Sequence, residues 1–476
     1  VRVIATPETV LPESVSRPTL ARDPLAQVAV GVAAAAVEAS RAEGGRGGDS
    51  GRGTDSGRGA DAVGLALEAS AQVPSAARAC WLLDPRVTFL NHGSYGALPS
   101  SAAAAQARIR ERMEREPIRF FKHDLEGLVD ASRRALAGVI NCRPADIAPM
   151  SNATHALCTV LSNLDLRAGD EILISDHEYQ SLLNELDRVC QRTGARVVQA
   201  RVPFPVRGAD EVVDRFVSAM TPRTKVVFVS HITSASSLVF PVAAIIAECA
   251  ARGIDVVLDG AHSPGQVHVD LAALKPAYFI GSGHKWLCGP KGIGFLVVRA
   301  DKQPGFRPLA LSSRANKVRA DRSLFLRDFD YSGTGDYSAF LALPDALAAV
   351  ESLLPGGWSA LFRHNHRMIV AARRRICEVL GIEPPCPDSM LGSMASIPVP
   401  DAPERLASRP TRYDDALQDA LIDTHGMATP VWRLNCNQQR IVRVSAQVYN
   451  TLDQYDRYAA ALKAELAAEM AAERVK

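Results

Sequence analysis

A lysine at position 285 stands in the stretch FIGSGHKWLCGPKGIGF (residues 279–295), between an apolar run and a glycine-studded loop. Lysine is seldom buried without a reason, and a lysine amine held at a strand end can condense with an aldehyde to give a Schiff base. Asp259, in VVLDGAHSPG, precedes it by 26 residues, about one strand–helix–strand step of a parallel sheet. An aspartate facing a pyridine nitrogen keeps that nitrogen protonated, so the ring can act as an electron sink; this is the usual partner of pyridoxal phosphate. Further upstream, MSNATHAL (150–157) sets Ser151, Asn152 and Thr154 ahead of a helical run. Free N–H groups at a helix start make an anion site suited to a phosphate.

Taken singly, each feature has a plain structural reading. Lys285 could be a snorkelling surface lysine, Asp259 could cap the turn after its strand, and residues 151–154 could be an ordinary N-cap cluster. GSGHKW lacks the spacing of a phosphate-binding P-loop. A second chemistry is also open: Asp176, His177, Asp259, His262 and His284 could form a carboxylate–imidazole metal site for hydrolysis. The joint occurrence of lysine, aspartate and anion site, in order and at strand ends, favours the aldehyde cofactor, with no metal.

The elements that must position these groups share one layout. RAGDEILISDHEY, RTGARVVQARV and ARGIDVVLDGAHS each run from a basic helix end through a glycine into a short β-branched strand. Gly169, Gly194 and Gly253 suit the left-handed position just past a helix end. TKVVFVSHITS, AYFIGSGHK and GIGFLVVR add strands, with helical spacing over 210–220 and 241–252. Strands without polar alternation, separated by helices, predict a largely parallel sheet covered on both faces. Asp176 and His177, Ser230 and His231, Asp259 and His262, and Ser282 with His284 and Lys285 each come after the last apolar residue of a strand, where open α/β sheets bind ligands. Beyond Pro344, helical spacing over 345–354 and 358–380 precedes strands near 394–399 and 441–445. A terminal amphipathic helix comes last, with Thr451 and Gln454 at capping-box spacing.

Composition narrows the partners. The 476 residues are 47% hydrophobic and 22% charged, with net charge +2, a globular balance that argues against a nucleic-acid partner. No apolar run is long enough to span a bilayer; the most apolar N-terminal one, 28–37, is half alanine. The nine cysteines stand singly without a C-x-x-C pair, which fits a reducing cytoplasm. GGRGGDSGRGTDSGRGAD (44–61) repeats DSGRG and reads as a linker. Residues 1–75 are therefore expected to be a disordered low-complexity extension, with the fold starting near Ala79.

FLNHGSYGALP (89–99), SNATHA (151–156), SDHEY (175–179), VVLDGAHSPG (256–265), GSGHKWLCGPKGIGFL (281–296), SGTGDYSA (332–339) and RVSAQVYNT (443–451) together resemble the fold-type I, pyridoxal-phosphate-dependent class V aminotransferase superfamily, in its isopenicillin N epimerase-like branch. The resemblance spans roughly residues 80–465. It implies an α/β fold with a large cofactor-binding domain over 79–343 (79–105 an N-terminal arm at the active-site mouth) and a small α+β domain over 344–476. It implies Lys285 as the Schiff-base lysine that shuttles the α-proton, Asp259 on the pyridinium nitrogen and His262 near the ring hydroxyl. Tyr179 would stack over the ring, while Ala153, Thr154, Ser282 and His284 hold the phosphate. Thr334 would reach the phosphate from a second subunit of a homodimer with shared sites. Arg443 would clamp the carboxylate of an amino-acid-like substrate, as a guanidinium does with two parallel hydrogen bonds. Asn91, His92 and Tyr95 would line the substrate mouth.

Pyridoxal phosphate assists bond cleavage at an amino acid α-carbon, and the protein decides the outcome. An epimerase needs a second acid/base opposite Lys285, for which Tyr95 and His92 are the candidates. A C–S β-lyase, such as a cysteine desulfhydrase or hercynylcysteine sulfoxide lyase, needs only a leaving group on the β-carbon. A transaminase must accept a second substrate. Sulfur transfer to the protein would require a mobile-loop cysteine, and none stands between Gly289 and Cys377. Epimerase chemistry ranks first, on motif similarity.

Overall fold

The alternation of strands and helices is built as expected. The computed structural model describes residues 73–474. Its strands are β1 (Thr88–Phe89), β2 (Ile147–Met150), β3 (Glu171–Ser175), β4 (Arg196–Ala200), β5 (Thr224–Ser230), β6 (Asp255–Gly260), β7 (Tyr278–Ser282), β8 (Gly294–Val298), β9 (Met394–Pro398), β10 (Met427–Ala428), β11 (Val431–Arg433) and β12 (Arg440–Ser445). Seven of them form one sheet in the order β2-β8-β7-β6-β5-β3-β4. The β3–β4, β3–β5, β5–β6 and β6–β7 pairs are parallel, and β8 is antiparallel to both β2 and β7. Within this sheet β8 alone therefore runs against the rest.

The missing polar alternation has a direct cause: every residue of β3, β7 and β8 is buried, as happens when helices cover both faces. One face carries Leu173, Val227, Val229, Leu258 and Phe279 into one apolar cluster. The other carries Ile172, Ile174, Phe228, Val257 and Ile280 into a second. Each such side chain stabilises the fold by about 1.5–3 kcal/mol relative to exposure. Gly194 and Gly253 take the expected positive φ just past the helices Gln180–Thr193 and Val242–Ala251, whereas Gly169 takes it in a turn, six residues beyond the end of the helix Ala153–Asn163.

β11, β12 and β9 form a separate antiparallel sheet in that order. The helices Gly357–Leu380 and Leu452–Arg474 pack against each other beside it. β1 pairs in parallel with β10, Thr88 opposite Met427, so the N-terminal segment is tied to the C-terminal part of the chain before it turns toward the large sheet.

The folded chain reaches back past Ala79. Val73, Ala77 and Trp81 are buried in one small cluster, and the Trp81 indole N–H donates to the Ala77 carbonyl at 2.8 Å, which closes the helix Ser75–Ala79. The extension and its DSGRG repeats, through residue 72, lie outside the described residues. All nine cysteines are unpaired thiols. Among the described residues no helix is long and apolar enough to cross a membrane.

Candidate active site

The carboxyl ends of β3, β5, β6 and β7 open onto a cavity of about 290 Å³. Lys285 sits in the turn that leaves β7 and reaches into this cavity. The turn is closed by the Cys288 N–H donating to the Lys285 carbonyl at 3.1 Å and by Gly289 N–H donating to Gly283 O at 2.8 Å. The Lys285 amine lies 3.0 Å from Nε2 of His262 and 6.0 Å from the ring centre of Tyr179. Loss of water pulls the amine down to about 8; the Asp259 carboxylate opposes this and the Arg443 charge adds to it. Burial, then the charge of Lys285, keeps His262 neutral, its pKa well below the usual imidazole value.

Asp259 lies in β6 and lines the same cavity. One carboxylate oxygen accepts the Ala261 N–H at 2.8 Å. Burial raises its pKa, against that hydrogen bond and the charge of Lys285. Ala261 and Tyr179 also line the cavity. At its other end the helix Ala153–Asn163 begins, capped by Asn152, whose side-chain oxygen accepts the His155 N–H at 2.8 Å. Thr154, Ser181, Ser282 and His284 stand around that helix start. The Thr154 and Ser181 hydroxyls are 3.4 Å apart, and His284 Nδ1 donates to the Ile293 carbonyl at 3.1 Å.

Arg443, on β12, is 1% exposed. Its guanidinium lies 4.7 Å from the ring centre of Trp432. Trp432 pairs with Ile441 across the β11–β12 ladder, so it is the diagonal neighbour of Arg443. Nη1 donates to the Ser234 carbonyl at 2.7 Å, and Nη2 donates to Ser94 Oγ at 2.8 Å and Asn91 Oδ1 at 3.2 Å. Nε is buried without a partner. Burial lowers this arginine to about 9. Such a cation, with an N–H left over, is a site for an anion.

These groups fit pyridoxal phosphate. A helix start ringed by hydroxyls suits its phosphate, and the desolvated Asp259 suits a pyridinium. His262 lines the same cavity, and its buried Nδ1 has no hydrogen-bond partner, a polar atom that a ring substituent would satisfy.

The model of the aminotransferase class-V family matches residues 116–458. The chain belongs to the class V aminotransferase family. Isopenicillin N epimerase of Amycolatopsis lactamdurans is 34% identical over 80% of this chain and 96% of its own. A probable chloroplastic L-cysteine desulfhydrase of Arabidopsis thaliana is 29% identical over 67% of this chain and 69% of its own. A solved structure of the cystine C–S lyase C-DES, with glycine covalently linked to its PLP cofactor, matches the fold with a TM-score of 0.66. It is 22% identical, over 79% of this chain and 96% of that one. As a class V enzyme the protein uses pyridoxal 5′-phosphate.

Of the residues singled out in the sequence, Lys285, Asp259, His262, Tyr179, Ala153, Thr154, Ser282, His284, Tyr95 and Arg443 converge on the one cavity. Asn91 does not line it and reaches it through Arg443 and Ser94. His92 does not line it. Its ring is fully buried behind Lys285, 4.7 Å from the Trp286 ring, with Nε2 3.1 Å from the Lys285 carbonyl and Nδ1 2.8 Å from the Tyr449 hydroxyl. Burial depresses its pKa to about 3. His92 therefore supports the lysine turn, a correction to its expected place as a substrate contact or acid/base. Thr334 is exposed outside its own chain's cavity, its hydroxyl 2.9 Å from that of Tyr331.

Of the residues weighed for a metal, Asp259, His262 and His284 line the cavity but Asp176 and His177 do not, and among the described residues no three such side chains are grouped to hold a metal ion. Asp176 accepts the Val202 N–H at 2.9 Å, and His177 is held between Ser236 Oγ at 2.7 Å and the Val202 carbonyl at 2.8 Å. Cys288 is fully buried against His92, its thiol pKa pushed far up by burial, which suits packing and not sulfur transfer.

Sequence reasoning missed Ser94, Ser234, Trp432 and Glu178. Ser94 stood inside a motif already marked out, FLNHGSYGALP. Glu178 likewise stood inside SDHEY and Ser234 at the end of TKVVFVSHITS, whereas Trp432 carries no local signal. Glu178 is buried under the site, accepting from Ser175 Oγ at 2.7 Å and Ser230 Oγ at 2.5 Å, and burial raises it to about 7.

Proposed function

We propose that this class V enzyme moves the α-proton of an amino-acid-like substrate, as an epimerase or racemase. The observation that carries this reading is the pairing of the Lys285 amine with neutral His262 at 3.0 Å in the cavity that also holds Arg443. Bound pyridoxal phosphate supplies the electron sink that makes an α-proton acidic. Lys285 takes and returns that proton on one side, and an amine lowered to about 8 is suited to do so near neutral pH. His262 accepts a hydrogen bond from the amine and orients it. Asp259 holds the ring nitrogen protonated. Ala153 and Thr154, with Ser282 and His284, bind the phosphate, and Tyr179 covers the ring. Arg443 holds the substrate carboxylate, and Tyr95, at the cavity mouth, is the acid/base on the opposite face. The relationship to isopenicillin N epimerase over nearly its full length supports this order of preference.

C–S β-elimination is the second reading, supported by the relationship to the L-cysteine desulfhydrase; it uses the same Lys285 and needs no second acid/base. In either case we infer a homodimer in which Thr334 of one subunit completes the phosphate site of the other, and a cytoplasmic location, consistent with nine free thiols.

Incubation with an amino acid panel in heavy water separates the reactions. Deuterium at Cα with loss of optical purity and no other product is the expected result. Pyruvate with released thiol or ammonia would assign elimination. A keto acid formed only with an added acceptor would assign transamination.

A further inference from the structure

Residues 91–97 make one short turn with two ends, one on Lys285 and the other on Arg443. Lys285 leaves β7 of the seven-stranded sheet and Arg443 stands on β12 of the three-stranded one. No side-chain hydrogen bond joins the two. Arg443 is tied to the segment after β5 through the Ser234 carbonyl, and the 91–97 turn is hydrogen-bonded to both Lys285 and Arg443.

At the first end, the Lys285 carbonyl can only accept, so His92 carries its proton on Nε2 and donates at 3.1 Å. Nδ1 must then accept, and it meets two donors: the Tyr449 hydroxyl at 2.8 Å and the Ala97 N–H at 3.2 Å. One tautomer of a neutral imidazole satisfies all three contacts. Gly96, at φ +54°, passes so close that an added Cβ would stand 2.3 Å from the His284 carbonyl oxygen and 2.5 Å from that of Lys285. Only glycine takes both that φ and that approach without strain. Lys291 Nζ donates to the Gly96 carbonyl at 2.7 Å.

At the second end, Ser94 Oγ accepts from Arg443 Nη2 at 2.8 Å and donates to Asn91 Oδ1 at 2.7 Å. Asn91 Oδ1 also accepts from Nη2 at 3.2 Å, which closes a three-membered ring of hydrogen bonds. Gly93 N–H donates to Ser445 Oγ on the Arg443 strand at 3.2 Å. A Cβ on Gly93 would meet Met394 Sδ at 2.4 Å.

We propose that the 91–97 turn is a strut that fixes the spacing between the amine of Lys285 and the guanidinium of Arg443, with His92 and Ser94 as its positioning residues. A ligand joined to the cofactor at one point and to the arginine at another must match that spacing, and a misplacement near 1 Å can cost about 100-fold. The inference rests on the reading of Arg443 as the carboxylate site.

Two hydroxylamine ethers test it on the holoenzyme. Aminooxyacetate carries a carboxylate, whereas O-methylhydroxylamine does not, and both condense with the cofactor aldehyde. The readout is the rate of loss of the visible band. The wild-type protein should prefer aminooxyacetate. Ser94→Ala should cut that preference by about tenfold, the value of a charge-assisted hydrogen bond, through the aminooxyacetate rate alone. His92→Ala should change both rates, because it frees the Lys285 turn. His92→Gln, which keeps a donor at the ε position, should restore them at least in part. A preference that survives Ser94→Ala intact overturns the strut, as do wild-type rates in His92→Ala. A wild-type protein without any preference removes the carboxylate reading of Arg443, and the strut with it, so the two failures are told apart. Ser94→Ala removes a single hydroxyl at the cavity wall and decides the matter even if His92→Ala does not fold.

Discussion

The imidazole of His262 stands 3.0 Å from the amine of Lys285, and the two cannot both be charged. Burial and the lysine's charge keep the imidazole neutral, so it accepts from the amine. A hydrogen bond of this kind orients the amine without consuming its lone pair for good. Replacing His262 by alanine should lower kcat by roughly 10- to 100-fold, in line with a lost hydrogen bond to a charged group, with a smaller effect on KM. Steady-state kinetics at saturating cofactor measure this; an unchanged kcat would remove His262 from the machinery.

The amine itself should titrate low. Burial brings Lys285 to about 8 from an ordinary 10.5, and only the neutral amine condenses with an aldehyde. The rate at which cofactor-free protein gains a visible band on adding pyridoxal phosphate should therefore rise through pH 8. A rate that climbs only near pH 10 contradicts the burial argument. Stability should respond with the same sign. Between pH 8 and 10.5 the unfolded chain keeps a proton that the folded cofactor-free protein has shed, so the contribution of this group to stability rises with pH over that window.

Arg443 should not tolerate lysine. Its planar fork is held by Ser94, Asn91 and the Ser234 carbonyl and stacked on Trp432, and an ammonium reproduces neither the fork nor the stacking. Arg443→Lys should raise KM for an amino acid substrate by roughly 10- to 100-fold. The same variant should respond little to replacing the carboxylate by an amide. Comparison of each amino acid with its amide is the measurement.

Glu178 should make the protein less stable as pH rises. Folding raises its pKa from 4.5 to about 7, chiefly by burial. Its stabilising contribution is complete below pH 4.5, where both states are protonated. It is lost between pH 4.5 and 7, where the unfolded carboxyl ionises and the folded one does not. Glu178→Gln mimics the neutral acid. Its stability relative to wild type should improve by about 2–3 kcal/mol from pH 4.5 to pH 8. Urea unfolding at the two pH values checks this, and equal differences at both would show that folding does not shift the carboxyl.

The sequence by itself pointed to the cofactor and to the strand ends where its main groups gather. Lys285, Asp259 and His262 each come after a buried apolar strand segment, and a parallel sheet delivers all such positions to one edge; local pattern alone therefore predicts that they meet. The helix start at Ala153 was legible for the same kind of reason, since the Asn152 cap acts within four residues. Half of the expected capping box also stands, with Thr451 N–H donating to Gln454 Oε1 at 3.2 Å. What only the tertiary structure decided is how groups far apart in the chain are turned toward each other. His92 and Lys285 are 193 residues apart, and nothing near His92 shows that its ring lies behind the lysine and not in front of it. Ser94 and Arg443 are 349 apart, and Trp432 meets the guanidinium only because of the register of β11 on β12. Short-range pattern fixes which face of an element is apolar, but the partner of a buried polar group is chosen by packing between elements, where one residue of register reverses every side chain.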